Sequence, residues 1–483
     1  MNFRVLISLC LIVVTATELP AQYYIPASPN HDHLVQYLEE SQPGLFRLGY
    51  SRPLSVEAYR DHLPGSLADY YHEDSLTFRN NLSLSYSSDH STFVYRYSPY
   101  LFTDLTPRLH LGVQADLTNH PSGANLLGST MVRFGNTGRF SRAWIGYTGT
   151  HFEFVFGRDA LQFGPGRFSQ LHLNGDLPPY DMLRTRISKY GFNLFAFAAF
   201  LPAVPSKIHP GRYVERYLSG RRLEYISPGG KLIAGIGDLV LYTGENRPVN
   251  LAISNPFLPM YPLTVEGLER MDPDGTGDNE NIQVMADLSY RFNKHHRMYS
   301  EFILDDFQYD PEARKLRDDA TGITLGYSNL LRLTPALGLH TQTEFTVLNT
   351  WVYNHPGQST SWMYKNRPMG NTEGGDVREF HLRTDLWHGY DWSVGLQIDY
   401  IEKGETNPED PYRIHETKHA TFPLGTVEYS TIYSIHIYWY TDYLRYLHPY
   451  FVYERNCNDN HRAGSTEADL RLGIELLWWF TIL

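Results

Sequence analysis

The stretch NIQVMADLSYRFNKHHRMYSEFILDDFQYD, Asn281–Asp310, decides the fold class. Its first part has one apolar face, Ile282, Val284, Ala286, Leu288, Tyr290 and Phe292, and one mostly polar face, Gln283, Met285, Asp287, Ser289 and Arg291. Successive strand residues point to opposite faces, so this alternation predicts a two-faced β-strand. After a polar turn at Asn293–His296 the alternation resumes, with Met298, Phe302 and Leu304 against Arg297, Glu301 and Asp305. The stretch therefore predicts a hairpin whose strands, at roughly ten residues each, match a tilted transmembrane barrel strand.

The composition fits a membrane barrel better than a helical protein or a nucleic-acid binder. The chain has 483 residues, 38 glycines, 36 tyrosines and a formal net charge of −12. No window after the N-terminus approaches the ~18 consecutive apolar residues of a membrane helix. Many turns and many aromatic residues are typical of barrels with aromatic girdles. The negative charge and the lack of a basic run argue against nucleic acid as a partner.

Residues 1–21 are predicted to be a secretory signal peptide. One positive charge at Arg4 precedes an apolar core from Val5 to Val14, which is too short to span a membrane. Cleavage is expected near Ala21. Cys10 then leaves with the signal, and Cys457 remains alone, so the mature chain forms no internal disulfide. An exported chain of this size without disulfides fits a Gram-negative envelope.

Residues 22–70 are predicted to form a small periplasmic helical segment outside the sheet. Asn30 or Asp32 can cap a helix over HLVQYLEES, residues 33–41, and Ser55 can cap a second helix over Ser55–His62. Two roles remain open for this segment: a strap or lid on the barrel, or a docking site for an export-machinery partner.

Residues 71–483 are predicted to form an outer-membrane antiparallel β-barrel. Alternating segments separated by turn-rich pieces give roughly 16–20 strands, and about 18 suits the chain length and the even number usual in bacterial barrels. The last strand has an apolar face, Leu470, Leu472, Ile474, Leu476, Trp478 and Phe480, opposite Asp469, Arg471, Gly473 and Glu475. A soluble β-sandwich could show the same alternation. The signal, the strand pattern and the last strand together favour the all-β transmembrane barrel.

Several blocks, in their order along the chain, resemble the Wzi-type capsule assembly family of outer-membrane proteins. They are Gly157-Arg158 with Phe163-Gly164-Pro165-Gly166; Leu173-Asn174 with Pro179-Tyr180-Asp181; Arg222-Leu223-Glu224; Asn255-Pro256-Phe257; and Glu301 with Leu304-Asp305-Asp306-Phe307. The resemblance implies an 18-stranded barrel with a periplasmic helical part. It also implies binding of capsular polysaccharide at the cell surface, without catalysis and without a cofactor.

An arginine- and tyrosine-rich stretch, His209–Tyr225, is the candidate substrate-binding site. The candidate residues are Arg212, Tyr213, Arg216, Tyr217, Arg222 and Glu224. Arginine forks bind carboxylates and tyrosine rings stack on sugar faces, so an acidic polysaccharide could bind here. Alternatively, these arginines neutralise lumenal carboxylates and fill the barrel. The predicted lumenal charge network comprises Asp287, Arg291, Arg297, Glu301 and Asp305.

Metal binding and catalysis receive little support from the sequence. The acidic loop residues Asp272, Asp274, Asp278 and Glu280 resemble a calcium loop, but the full twelve-residue spacing is missing, and a solvated outer loop is the alternative. Asp305 and Asp306 are neighbours on a strand and point to opposite faces, so they cannot act together on one glycosidic bond. A Ser–His pair cannot be chosen from sequence spacing.

Three functions are consistent with these observations. The first is a non-catalytic outer-membrane barrel that binds capsular or exopolysaccharide and helps to assemble or retain it. The second is a porin or substrate-specific channel, and the third is a barrel-embedded hydrolase. The expected partners are surface polysaccharide, outer-membrane lipid and a component of the export machinery.

Overall fold

The computed structural model describes the barrel and a few residues of the segment that precedes it. It describes residues 24–25, 37, 40–41, 50–52, 54–55, 76–87, 92–106, 108–120, 127, 129, 131–206, 209–250, 253–258, 280–306, 319–355, 358–409, 421–442 and 445–482. The predicted signal peptide, most of the predicted helical segment and nearly all of the predicted calcium loop lie outside these residues. None of the described helical residues belongs to a helix that is long and apolar enough to cross a membrane.

Eighteen of the described strands form one closed antiparallel barrel. The first nine are β1 (Leu76–Ser87), β2 (Thr92–Thr106), β3 (Leu109–Thr118), β4 (Asn136–Thr148), β5 (Phe152–Asp159), β6 (Tyr180–Lys189), β7 (Phe192–Pro205), β8 (Tyr213–Ile226) and β9 (Leu232–Gly244). The second nine are β10 (Glu280–Asn293), β11 (His296–Asp306), β12 (Ala320–Arg332), β13 (Leu337–Leu348), β14 (Val377–His388), β15 (Trp392–Lys403), β16 (Glu428–Asp442), β17 (Arg445–Cys457) and β18 (Thr466–Ile482). Each strand pairs with its neighbours in sequence, and β18 pairs with β1 from Arg471↔Ser87 to Ile482↔Leu76. Closure leaves no free sheet edge, as a barrel in lipid requires.

The predicted hairpin forms β10 and β11, and its polar face is the buried one. Asp287 is 6% exposed, whereas its neighbour Leu288 is 46% exposed. The same alternation continues along both strands. A water-soluble protein buries its apolar face, so this inverted pattern marks a barrel with a polar interior and an exterior that faces lipid. The all-β barrel prediction, with about 18 strands, is confirmed.

The two ends of the barrel differ in their connections. At one end, turns of two to five residues join the strands, for example between Asn293 and His296. At the other end the connections range from four to 35 residues, and the longest joins Gly244 to Glu280. Bacterial barrels have short periplasmic turns and long extracellular loops. The short-turn end, where β1 begins and β18 ends, is therefore periplasmic.

Long loops fold into the lumen and form an apolar core there. This core joins inward-facing strand residues such as Met285 and Ile303 to the loops at residues 160–179 and 349–376. Phe163 and Trp362, one from each loop, are completely buried. Two loops thus supply the side chains that fill a space which the strands alone would leave open.

Several described residues of the N-terminal segment, Tyr37, Glu40, Tyr50 and Ser51, are buried inside the barrel. Tyr37, Glu40 and Ser41 are helical, and Ser51–Arg52 pairs with Gln162–Phe163 of the first inward loop. Ser55, the predicted cap of the second helix, is described, but the residues of that helix that follow it are not. Leu54–Ser55 pairs with Tyr24–Ile25 as a two-residue strand. The rest of the two predicted helices lies outside the described residues.

Candidate functional site

Arg222 of β8 joins the inner wall to the N-terminal segment. Its Nε and Nη2 atoms donate to the two carboxylate oxygens of Asp287, at 3.0 and 2.8 Å. Its Nη1 atom donates to Glu224 at 2.8 Å and to the Ser51 hydroxyl at 2.6 Å. The Glu224 carboxylate accepts from the backbone N–H of Tyr50. All of these groups are buried, so Arg222 and Glu224 are occupied by contacts within the protein.

Glu40 makes a second anchor for the N-terminal segment. Its carboxylate lies 3.0 Å from Nε of Arg297 and 3.3 Å from Nη1 of Arg291, and it accepts from the Ser328 hydroxyl. Burial alone would raise the pKa of Glu40, but Arg297 and Arg291 outweigh it and hold that pKa below its usual value. The charged face of the β10–β11 hairpin therefore binds an acidic side chain of the segment that precedes the barrel.

Glu301 of β11 holds the first inward loop through backbone groups. Its carboxylate accepts from the N–H groups of Gly166 and Leu171, at 2.5 and 2.9 Å. A Cβ on Gly164, whose φ is +103°, would lie 2.2 Å from Glu301 Oε1. The glycines of Phe163-Gly164-Pro165-Gly166 are thus required for the loop to approach this carboxylate.

Glu344 of β13 holds the same loop between Gly166 and Leu171, and the sequence did not single it out. It accepts from the backbone N–H groups of Arg167 and Ser169, at 2.9 and 2.6 Å, and from the Tyr299 hydroxyl at 2.8 Å. Its polar position in the alternating segment LGLHTQTEFTVL could have placed it in the lumen. Nothing in that pattern indicates which loop it binds.

Asp305 of β11 anchors the second inward loop. Its carboxylate accepts from the backbone N–H of Tyr353 and from Nε1 of Trp362, both at 2.6 Å. The sequence grouped Asp305 and Glu301 in a charge network with arginines. Among the described residues, their hydrogen-bonding partners are loop groups and, for Asp305, Gln283.

His172 shows how completely the first inward loop is enclosed. It is 1% exposed, and burial, with a smaller contribution from Arg222, lowers its pKa to about 3. Its imidazole is therefore neutral at physiological pH. A neutral ring can pack against the inner wall beside the arginine without charge repulsion.

The other candidate substrate-binding residues lie in different surroundings. Arg212 is exposed and contacts Glu245 at 3.2 Å, and Tyr213 is exposed at the start of β8. The Arg216 guanidinium donates to backbone carbonyls of the second inward loop at Ser359, Ser361 and Met363. Tyr217 stacks on Tyr242, and its hydroxyl donates to the Arg247 carbonyl. The six candidate residues therefore do not line a common pocket in this structure.

Of the predicted calcium ligands, only Glu280 is described. Its carboxylate pairs with Nη2 of Arg247. Asp272, Asp274 and Asp278 lie outside the described residues. Within the described part of the chain, no three His, Cys, Asp or Glu side chains form a metal-binding group. The calcium site stays a prediction.

A Ser–His–Asp arrangement lies where the first inward loop meets β14 and β15. The Ser169 hydroxyl is 3.3 Å from His381 Nε2, and His381 Nδ1 is 2.8 Å from Asp399. The serine hydroxyl, however, donates to the Glu379 carboxylate, and the adjacent N–H groups donate to Glu344. The serine proton and the oxyanion-stabilising donors that an acyl transfer needs are therefore engaged elsewhere.

A polar cavity of about 400 Å³ opens in the extracellular half of the lumen. It is lined by residues of β1–β4, the first inward loop and the hairpin that contains Arg367: Ser83, Ser85, Val94, Tyr95, Arg96, Asp116, Thr118, His120, Leu127, Ser141, Asp176, Leu177, Pro178, Pro179 and Arg367. The side chain of Arg96 is 57% exposed and lies 3.4 Å from Asp116. Arg367 and Arg96 are both close enough to the Asp176 carboxylate to attract it electrostatically. The sequence missed this site because its residues come from seven separate parts of the chain, among them the β3–β4 connection with His120 and Leu127.

Comparison with solved structures shows the same fold in an outer-membrane protein of Escherichia coli. That protein, Wzi, is described as a carbohydrate-binding β-barrel involved in group 1 capsule assembly. It shares 13% identity with this chain, at a TM-score of 0.64, over 94% of this chain and 98% of its own. Two Pseudomonas aeruginosa barrels, OccD3 (OpdP) and OccK1 (OpdK), are less similar. They have TM-scores of 0.49 and 0.46, 11% identity each, and cover 85% and 84% of this chain and 91% and 99% of their own.

Comparison with known sequences identifies the family. No curated protein matches the chain by sequence. The model of the family "Capsule assembly protein Wzi" matches residues 71–469, which is most of the chain and nearly all of the barrel. The chain therefore belongs to the Wzi family of capsule assembly proteins, as the order of its sequence blocks predicts, and is an outer-membrane β-barrel.

Proposed function

We propose that this barrel binds an acidic capsular or exopolysaccharide and helps to assemble or retain it at the cell surface. The name of the family and the carbohydrate binding described for the E. coli barrel give the class of ligand. The observation that carries the proposal is the polar cavity in the extracellular half of the lumen. Its volume falls within the range of small-ligand sites, and Arg96 and Arg367 can pair with sugar carboxylates.

The proposed role is binding without catalysis. Among the described residues, the Ser169–His381–Asp399 arrangement resembles a hydrolase site, and it is buried where the first inward loop meets the wall. Because the Ser169 hydroxyl donates to Glu379 rather than to the imidazole, the serine is not activated as a nucleophile. A binding protein needs only the open cavity.

Two further expectations stay predictions. The residues Arg212, Tyr213, Arg216, Tyr217, Arg222 and Glu224 were expected to bind substrate, and of these only Arg212 and Tyr213 are exposed. The second expectation is that export machinery docks at the N-terminal segment. The described residues Tyr37, Glu40 and Tyr50 of that segment are buried in the barrel, which favours a strap over a docking surface.

The experiment is deletion of the gene, followed by measurement of cell-bound and free polysaccharide. We expect cell-bound polysaccharide to fall and free polysaccharide to rise, because synthesis continues while retention is lost. Complementation with the double variant Arg96→Ala/Arg367→Ala should reproduce the deletion. The matched control is Arg133→Ala, since Arg133 is exposed at the same end of the barrel but does not line the cavity.

The barrel must first be shown to fold in each strain, by its heat-modifiable migration in gels. Unchanged cell-bound polysaccharide in the deletion strain would exclude the proposed role. Release of sugars from the polysaccharide by the purified barrel would favour the hydrolase instead.

A further inference from the structure

An arginine–carboxylate pair lies on the outer surface of the wall, where β5 ends and β6 begins. In this outer pair, Nε and Nη2 of Arg158 donate to the two carboxylate oxygens of Asp181, at 2.7 and 2.6 Å. Asp181 faces outward, because its neighbours Tyr180 and Met182 belong to the apolar core of the lumen. Neither member of the outer pair lines the polar cavity, so sugar binding there does not explain it.

The outer pair marks the extracellular edge of the apolar band. Two residues towards the periplasm along β5, Phe156 faces outward between its strand partners Ile145 and Leu183. These three side chains are 61%, 38% and 41% exposed. A charge on the lipid face is costly at the middle of the membrane but costs little at the interface. The outer pair therefore lies at the level of the lipid headgroups, directly beside side chains that face the acyl chains.

Lys365, in the second inward loop, adds a further positive charge beside the outer pair. It lies in the two-residue turn between Tyr364 and Arg367, whose backbones pair as a short hairpin. Lys365 Nζ is 5.6 Å from the ring centroid of Tyr364, and the Tyr364 hydroxyl donates to the carbonyl of Pro179. Because Pro179 directly precedes β6, these contacts hold the turn at the rim of the barrel.

Positive charge exceeds negative charge among the described residues at this rim. Arg139 of β4 also donates to the Pro179 carbonyl, at 3.1 Å. Burial, and then the charges of Arg139 and Arg158, lower the pKa of Lys365 to about 8, and the attraction of Asp181 has a smaller opposing effect. At pH 7 this lysine is still mostly protonated, so three cations lie near one carboxylate. An anion at this rim would relieve their mutual repulsion.

We propose that this rim binds a phosphorylated lipid of the outer leaflet, with Arg158 and Lys365 on its phosphate and Phe156 and Leu183 against its acyl chains. Phosphate groups complement the excess positive charge, and arginine and lysine are the side chains that bind them in proteins. The apolar side chains beside the outer pair favour a lipid over a polysaccharide, which has no acyl chains to pack on them. This rim site lies outside the lumen and does not depend on the sugar cavity.

The test measures the binding of lipid A to the purified full-length barrel in detergent, by native mass spectrometry. The probes are lipid A with two phosphates and the same lipid A after the phosphates are removed. Wild type should bind the phosphorylated form at least about tenfold more tightly, because two cations pair with phosphate oxygens. The double variant Arg158→Ala/Lys365→Ala should lose most of this preference. Arg158→Lys keeps the positive charge and should keep most of it, which protects the test against a misfolded double variant.

The matched control is Arg378→Ala, on the opposite side of the barrel. Arg378 lies at the extracellular end of β14, nine strands from β5. Like Arg158, it is a partly exposed arginine paired with a carboxylate, at 3.2 Å from Glu402. Its loss should leave the preference for phosphorylated lipid A unchanged. Heat-modifiable migration in gels shows that each variant is a folded barrel.

Three results would overturn the rim site. The first is equal binding of the two forms of lipid A by wild type, or an equal loss of preference in Arg378→Ala and in the double variant. The second is displacement of lipid A by millimolar inorganic phosphate, which would show that the cations bind free phosphate without help from acyl chains. The third is a double variant that still prefers phosphorylated lipid A but no longer binds polysaccharide, which would assign Arg158 and Lys365 to the sugar.

Discussion

At the scale of single residues, the lumen depends on Arg222, whose guanidinium holds two buried carboxylates. We expect Arg222→Met to cost about 3–5 kcal/mol of unfolding free energy, because Glu224 and Asp287 would stay buried without their partner. Urea unfolding of the barrel in lipid vesicles measures this loss. Arg212→Met is the matched control. It removes an exposed arginine with one acidic partner, and should cost less than about 1 kcal/mol.

The triple variant Arg222→Met/Glu224→Gln/Asp287→Asn separates charge from packing. It removes the uncompensated charges, so much of the lost stability should return. If Arg222→Met is no more damaging than Arg212→Met, the buried network does not hold the wall together.

The sequence placed Asp287 in the lumen and offered Arg222 as a substrate-binding residue or a neutraliser of lumenal carboxylates, but it could not pair Arg222 with the N-terminal segment. Alternation has a period of two, so it tells which face a side chain takes once the strand is known. The partners Tyr50 and Ser51 lie more than 170 positions away in the chain. No local pattern encodes so distant a contact.

At the scale of elements, the first inward loop is held by carboxylates of the wall rather than by its own secondary structure. Glu344→Ala removes the acceptor of the Arg167 and Ser169 amides. We expect these two amides to exchange with deuterium at least about tenfold faster, since each charge-assisted hydrogen bond contributes about 1.5–3 kcal/mol. Hydrogen–deuterium exchange of the peptide that contains residues 166–171 measures this.

Thr346→Ala provides the control for that measurement. Thr346 is buried on the same face of β13, two residues on, but it bonds to Thr324 of the neighbouring strand and not to the loop. Exchange at residues 166–171 should stay slow in this variant. Equal acceleration in both variants would mean that the wall, rather than the Glu344 carboxylate, controls the loop.

Strands could be predicted at this scale, and inward loops could not. The alternation in Ile282–Phe292 and Leu470–Phe480 indicates strands that separate lipid from a polar interior. Such alternation can be seen within a short stretch of sequence. Whether the chain after Asp159 turns outward or into the lumen depends on Glu301 and Glu344, which are far away in sequence. The small residues Gly164 and Gly166 mark the turn but do not give its direction.

At the scale of the whole molecule, the lumen is filled from both ends. Described residues of the N-terminal segment lie in the periplasmic half of the lumen, where they are anchored at Arg222 and Arg297. The first inward loop enters from the extracellular side and is anchored at Glu301 and Glu344. Because these elements lie one behind the other along the lumen, either of them alone is expected to block the pore. A porin of this size, by contrast, has a continuous aqueous channel.

This arrangement predicts that the two changes increase the conductance only when they are combined. In planar bilayers the full-length barrel should be closed, and so should the barrel without residues 22–70 and the barrel in which residues 160–179 and 349–376 are replaced by short turns. Combining the two changes should open steps of conductance, because only then is neither end filled. Heat-modifiable migration in gels shows that each variant remains a barrel. Steady conductance in the wild type would instead favour the porin, since a lumen that already conducts is not blocked by the N-terminal segment and the inward loops.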